Sequence, residues 1–249
     1  QPDRLPLEAI HKWDEPLLPF NRAIIDATAD LVCAYKPNLG FYLQWGAAGV
    51  IALERTIAYI PDRIPVILDA KIGDIGHTQA AWGYGLFDMW AVDAVTVNPY
   101  VGAEAVRPLV ASRPDKAVYV LARTSNPGAQ QFQGDLTTGH GLSADVLRAA
   151  RGWAGAGDAH CGFVLGATYP AELAAARALV PEANFLIPGV GAQGGDLASA
   201  VRHGADALAG PVINAGRNVL YASAGLDFAE AARAAALQLR EEINALRRA

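Results

Sequence analysis

Lysine is scarce in this chain: Lys12, Lys36, Lys71 and Lys116 are its four, against sixteen arginines. Cysteine is scarcer, with only Cys33 and Cys161. Two cysteines give neither a disulfide framework nor metal-ligand spacing. A reduced, cytoplasmic setting is therefore expected, with both thiols as small core residues and no metal site. Long apolar runs are missing: none reaches the roughly 20 residues of a membrane span. The opening, QPDRLPLEAIHKWDE, lacks a signal-peptide pattern, so no membrane partner is expected. Basic clusters are absent as well, and the net charge is −5, which makes nucleic acid a poor candidate partner. No GxGxxG fingerprint opens a helix, which counts against an open dinucleotide-binding sheet.

What is present is apolar. Hydrophobic residues make up 52% and charged ones 18% of the 249, enough for a large core and too apolar for disorder. Strand and helix patterns alternate along the chain, as a parallel βαβ architecture requires. Strands are expected in LVCAYK, ending near Lys36, and in IPVILDAKIGD, DAVTVNPYVG, KAVYVLARTSNPG, CGFVLGAT, NFLIPGVGAQGG and, weakly, ADALAGPVINAGR. The helices between them include Leu17–Thr28, a long amphipathic one over 41–60, and one packing through Trp82, Leu86 and Trp90. Others are a helix capped by Ser143, one begun by Pro170, one ended at Gly204, and a charged tail over 228–248. Seven strands in one domain of residues 1–249 point to an α/β fold, a (β/α)8 barrel whose first strand lies before residue 1. An open doubly wound sheet is the rival.

The stretch LDAKIGDIGHT stands out. In a strand, residues two apart share a face, so Asp69 and Lys71 are expected to point the same way at its end. Asp74 follows three residues later, beside Gly73 and Gly76, where the chain turns toward a helix. Two carboxylates bracket one amine in a chain that otherwise uses arginine for its cations. A structural ion pair is the bland reading, yet such pairs are weak sources of stability. Other polar strand ends, Asn98 and Thr168, are expected to make loop hydrogen bonds, and His77 to be a loop or interface residue.

GVGAQGG is a glycine-rich turn opening onto a helix, and amides exposed there suit an anion. Gln193 could donate over it. NAGR brings Arg217 to the end of the last strand, and the forked guanidinium suits phosphate. Barrels often hold phosphate at their last two strands, so a phosphorylated substrate is expected.

The run DAKIGDIGHT resembles the Asp-x-Lys-x-x-Asp signature of the orotidine 5′-phosphate decarboxylases, especially their bacterial long-chain branch. TSNPGAQQF, GATYP, PGVGAQGG and NAGRNVLYAS are similar to later segments of that family, in the same order. The resemblance implies cofactor-independent decarboxylation of orotidine 5′-phosphate to UMP in de novo pyrimidine biosynthesis. It implies Lys71 as the acid that protonates C6, within a charge array of Lys36, Asp69 and Asp74. It further implies that Lys36 contacts the ribose, Ser125 the pyrimidine edge, and Gln193 and Arg217 the phosphate. Asp74 and Thr78 are expected to enter a neighbouring subunit's site, hence a homodimer. A ribose-binding aspartate typical of the family's first strand has no counterpart here. Two alternatives share parts of the pattern: a Mg²⁺-dependent sugar-phosphate decarboxylase of the 3-keto-gulonate 6-phosphate type, and a non-catalytic nucleotide-binding barrel.

Overall fold

A computed structural model describes residues 4–6, 16–111, 113–134, 141–154, 161–191, 194–206 and 209–248. In chain order its elements are α1 (Leu17–Thr28), α2 (Leu39–Leu43), α3 (Gly46–Tyr59), β1 (Ile67–Ile72), α4 (Gly76–Gly83), β2 (Ala94–Val97), α5 (Arg107–Val110) and β3 (Ala117–Arg123). They continue with α6 (Gln130–Gln133), α7 (Gly141–Ala150), β4 (Cys161–Leu165), α8 (Pro170–Leu179), β5 (Phe185–Pro188), α9 (Leu197–Gly204), β6 (Val212–Asn214), α10 (Arg217–Leu220) and α11 (Phe228–Arg248). The chain divides into two compact units, Gln1–Asp69 with Ala215–Ala249, and Ala70–Asn214.

In the first unit, α1 buries Phe20, Ile24, Ile25 and Thr28, one stripe at helical spacing. Phe20 stacks on Phe228 of α11 with ring centroids 5.3 Å apart. Leu5, Ile24 and Ala232 complete that cluster. Fully burying a side chain such as Phe20 or Ile24 contributes about 1.5–3 kcal/mol relative to exposure. At the helix surfaces, Arg233 forks onto both carboxylate oxygens of Asp30 at 2.6 and 2.7 Å and donates to Ala27 O at 2.7 Å.

In the second unit the sheet order is β1-β2-β3-β4-β5-β6. Each pairing from β2/β3 to β5/β6 is parallel, with Ala94 opposite Ala117, Phe163 opposite Phe185 and Leu186 opposite Val212. All four residues of β2 are buried, as expected for a parallel sheet covered on both faces. A register shift falls between Leu121 and Arg123 of β3, against β4. Strictly sequential parallel strands alternating with helices are the α/β pattern of the (β/α)8 barrel. Arg177 of α8 ties helix ends together. It donates to the carbonyls of Val180, Pro181, Ala183, His203 and Gly204 while its guanidinium lies 3.7 Å from the Phe185 ring centroid.

Several sequence expectations need correction. The strand expected at 31–36 is present only as two parallel bridges, Tyr35 to Val66 and Asn38 to Asp69. The helix over 41–60 is two helices, because Gly46 adopts φ +60°, a left-handed turn that glycine takes without a Cβ penalty. The helix through Trp82 and Leu86 changes to a π-helix at Tyr84–Met89, and Trp82 is exposed. Ser143 lies inside α7, which starts at Gly141, so it is not a cap. Cys33 is exposed and Cys161 partly buried. The first sits in irregular chain between α1 and the Tyr35 bridge.

Candidate active site

In the first unit, Lys36 and Asp69 meet. Their bridged segments run side by side, with Asp69 N donating to Pro37 O at 2.9 Å. Lys36 Nζ lies 2.9 Å from Asp69 Oδ2, and the two side chains are 14% and 11% exposed. Asn38 Nδ2 donates to the same oxygen at 2.9 Å. Asn38 also caps α2, its Oδ1 accepting from Gly40 N. Sequence reasoning passed over Asn38. The available signal was its spacing, two residues beyond Lys36 in a strand-like segment. Shared hydrogen bonding of this kind holds a carboxylate in one orientation more firmly than a lone ion pair does.

In the second unit, Lys71 lies near the end of β1 at φ +49°, a conformation uncommon for residues other than glycine. The backbone there is held by Thr96, whose buried Oγ1 accepts from Lys71 N at 2.9 Å. Strained backbone at a charged residue is typical of functional positions. Asp74 is half-buried, with Oδ1 accepting from Ile75 N at 2.8 Å. Its own N–H donates to Oε1 of Gln79 at 3.1 Å. Gln79 is fully buried and donates in turn to Ala105 O. Gln79 is a second support that sequence reasoning missed; a glutamine at a core position of a helix was its only signal. Thr78 is exposed on α4.

Ser125 follows β3, and its carbonyl accepts from Thr168 Oγ1 at 3.3 Å. Asn98 Oδ1 accepts from Tyr100 N at 3.0 Å, so Asn98 and Thr168 make the loop hydrogen bonds expected of them. In the glycine-rich turn, the described amides of Gly194 and Gly195 are paired within the turn. Gly195 N donates to Gly189 O, and Gly194 N to Gly191 O. The α9 amides of Ala198 and Ser199 are taken by the carboxylate of Asp196. This cap holds the Asp196 carboxyl below its usual range, chiefly through the Ser199 hydrogen bonds against the opposing cost of desolvation. The α9 amides of Ala198 and Ser199 are thus satisfied by the helix's own cap. Gln193 lies outside the described residues. Arg217 is exposed and opens α10, three residues beyond β6. Among the described residues no group of three or more His, Cys, Asp or Glu is placed to hold a metal ion. No helix among them is long and apolar enough to cross a membrane.

The chain matches the family model described as orotidine 5′-phosphate decarboxylase / HUMPS family over residues 19–235. It is 50% identical over 238 residues to an orotidine 5′-phosphate decarboxylase of Thermomicrobium roseum, covering 94% of this chain and 84% of the relative. A second, from Herpetosiphon aurantiacus, is 47% identical over 234 residues, covering 93% and 84%. Among solved structures it is similar to the Leishmania donovani OMP decarboxylase, at a TM-score of 0.83 and 37% identity, covering 93% of this chain and 88% of that one. These relatives lend no support to the sugar-phosphate decarboxylase or the non-catalytic barrel. Sequence motif, fold and near full-length similarity converge: the chain belongs to the orotidine 5′-phosphate decarboxylase / HUMPS family.

Proposed function

We propose that this chain is a carboxy-lyase that converts orotidine 5′-phosphate to UMP and CO₂ in de novo pyrimidine biosynthesis, acting without a cofactor. It works through one catalytic domain spanning 1–249, as a cytoplasmic homodimer. The observation that carries the reading is the Lys36–Asp69 ion pair, 2.9 Å long and pinned by Asn38. It holds a carboxylate on the strand that also carries Lys71 and leads to Asp74.

In the reaction the bond from C6 to the carboxylate breaks, and its electron pair stays on C6 as CO₂ leaves. A carbanion on that ring carbon has little delocalisation, so stabilisation must be electrostatic. The ammonium of Lys71 attracts the developing charge and then delivers the proton that forms C6–H. Asp69 sits beside the substrate carboxylate and repels it. Unit charges about 4 Å apart at an effective dielectric of about 20 interact by about 4 kcal/mol, and departure of CO₂ removes that term. Lys36 keeps Asp69 oriented and contacts the ribose. Ser125 meets the pyrimidine edge. Gln193 and Arg217 hold the phosphate, whose binding energy is used at the distant reacting carbon. Asp74 and Thr78 complete the site of the second subunit. Exposed apolar side chains next to them, Ile75 at 49% and Trp82 at 38%, suit burial against that subunit.

The test follows loss of orotidylate absorbance with the purified chain and with Lys71→Ala. Losing both the proton donor and the charge is expected to lower kcat by at least about 10⁴-fold. Equal rates would remove Lys71 from the mechanism. Folded protein that leaves orotidylate untouched would sink the assignment, and activity abolished by chelator would favour a metal-dependent relative.

A further inference from the structure

Arg123 ends β3 and is 1% exposed. Its guanidinium lies 3.8 Å from the Tyr169 ring centroid. Nε donates to Glu172 Oε2, and Nη2 donates to Glu172 Oε1 at 3.3 Å and to Gln130 Oε1 at 3.0 Å. Nη1 is buried and has no hydrogen-bond partner among the described residues. A buried guanidinium is a poor stabiliser: well-packed apolar replacements are often as stable or more so. An unpartnered N–H makes the arrangement less favourable still. Stability is thus a weak reason for Arg123 to be there, and what its arms connect is the better one.

Those arms join the two segments that enclose Ser125. Gln130 opens α6, and Gln133 of the same turn accepts from Thr124 N at 2.7 Å through Oε1 and donates to Thr124 Oγ1 at 2.9 Å through Nε2. On the other side, Glu172 lies in the first turn of α8. The loop before α8 is bound to the same segment, with Gly166 N donating to Arg123 O at 2.7 Å and Thr168 Oγ1 to Ser125 O at 3.3 Å. The approach is close: a Cβ on Gly166 would fall 2.8 Å from Ser125 Cα. The backbone of Ser125 is thereby set between α6 and the start of α8, and Arg123 is bonded to both.

We propose that Arg123 is a positioning residue for the decarboxylation. By cross-linking Gln130 to Glu172 over Tyr169, it fixes the Thr124–Ser125 segment so that the Ser125 hydroxyl meets the pyrimidine edge in one geometry. The inference rests on the reading of Ser125 as a substrate contact. Arg123 touches no reacting atom and acts only through that segment.

A double-mutant cycle tests it, with steady-state kinetics on orotidylate and melting temperatures for wild type, Arg123→Lys, Ser125→Ala and the double variant. Lysine keeps the charge but loses the fork. Because a misplacement of about 1 Å can cost about 100-fold, Arg123→Lys is expected to lower kcat by about 10- to 100-fold. KM is expected to change by less than about threefold, since the loss lies in transition-state geometry. In the Ser125→Ala background the same substitution is expected to change kcat by no more than about twofold, because coupled residues are non-additive. An equal loss in both backgrounds would overturn the proposal while leaving the Ser125 reading intact. A wild-type rate for Ser125→Ala would instead remove the reading on which it rests. Should Arg123→Lys not fold, Gln130→Ala serves in its place, since Gln130 is exposed and only one arm is lost. Its expected kcat loss is about threefold or more, absent when Ser125 is alanine; an unchanged rate overturns the proposal.

Discussion

Burial pushes the Cys161 thiol up to about 12, and its Sγ–H contacts Ala150 O at 3.7 Å. Cys33, by contrast, is exposed. The thiolate is the nucleophile that attacks a disulfide reagent and expels its leaving thiolate, so the native protein at pH 8 is expected to react rapidly at one thiol, with the second reacting only after denaturation. Titration with a disulfide reagent, followed by mapping of the labelled peptide, checks this; two fast thiols would refute it. Neither behaviour is legible in the residue type, since both cysteines read as small apolar side chains. Lys71 makes a related point. Its candidacy was legible from scarcity and from the flanking carboxylates, whereas its left-handed backbone and the Thr96 hydroxyl that holds it came only with the fold.

The docking of α1 and α11 offers a pH-dependent test at the level of elements. Hydrogen bonds from Arg233 hold the Asp30 carboxyl well below the ordinary range, at about 2. A folded-state value below the unfolded value of 3.8 stabilises the protein above the unfolded value. That contribution is lost as pH falls through the folded one. The gap in urea midpoint between wild type and Asp30→Asn is therefore expected to be constant from pH 7 to pH 5 and to shrink between about pH 4 and pH 2. The pair is exposed, so the gap itself is expected to be small. A gap that widens on acidification would contradict the assignment. Helix bounds were most legible where periodicity was long and unbroken: Leu17–Thr28 and Phe228–Arg248 match the expected spans. They were least legible at 41–60, where a single glycine reverses the backbone inside an apolar pattern, and at Asp196. The carboxylate there caps the Ala198 and Ser199 amides, hydrogen bonds that the glycine-rich run did not indicate.

For the whole molecule, the reading places Lys71 and Asp74 of different subunits at one site. Lys71→Ala and Asp74→Ala, each nearly inactive alone, are then expected to recover activity on mixing. Random exchange between closed dimers makes about half of them mixed, each with one intact site, so about a quarter of the wild-type rate is the expected plateau. No recovery after subunit exchange, verified by tagged copies, would count against shared sites. The fold class was largely legible at this scale. Alternating apolar strands and helices, without a dinucleotide fingerprint, pointed to sequential parallel strands, and β1 to β6 follow that order.

The amino-acid sequence by itself determined the repeating strand and helix units, the apolar sheet and the Asp-x-Lys-x-x-Asp run, because periodicity and local spacing are properties of neighbouring residues. Tertiary structure decided which side chains support that run and the segment that carries Ser125. Asn38 reaches Asp69 across 31 positions, Thr96 reaches the Lys71 amide across 25, and Arg123 reaches Glu172 across 49. Such partners are chosen by strand register and by the burial of polar groups that must find a hydrogen bond, and neither is visible until the strands are laid side by side.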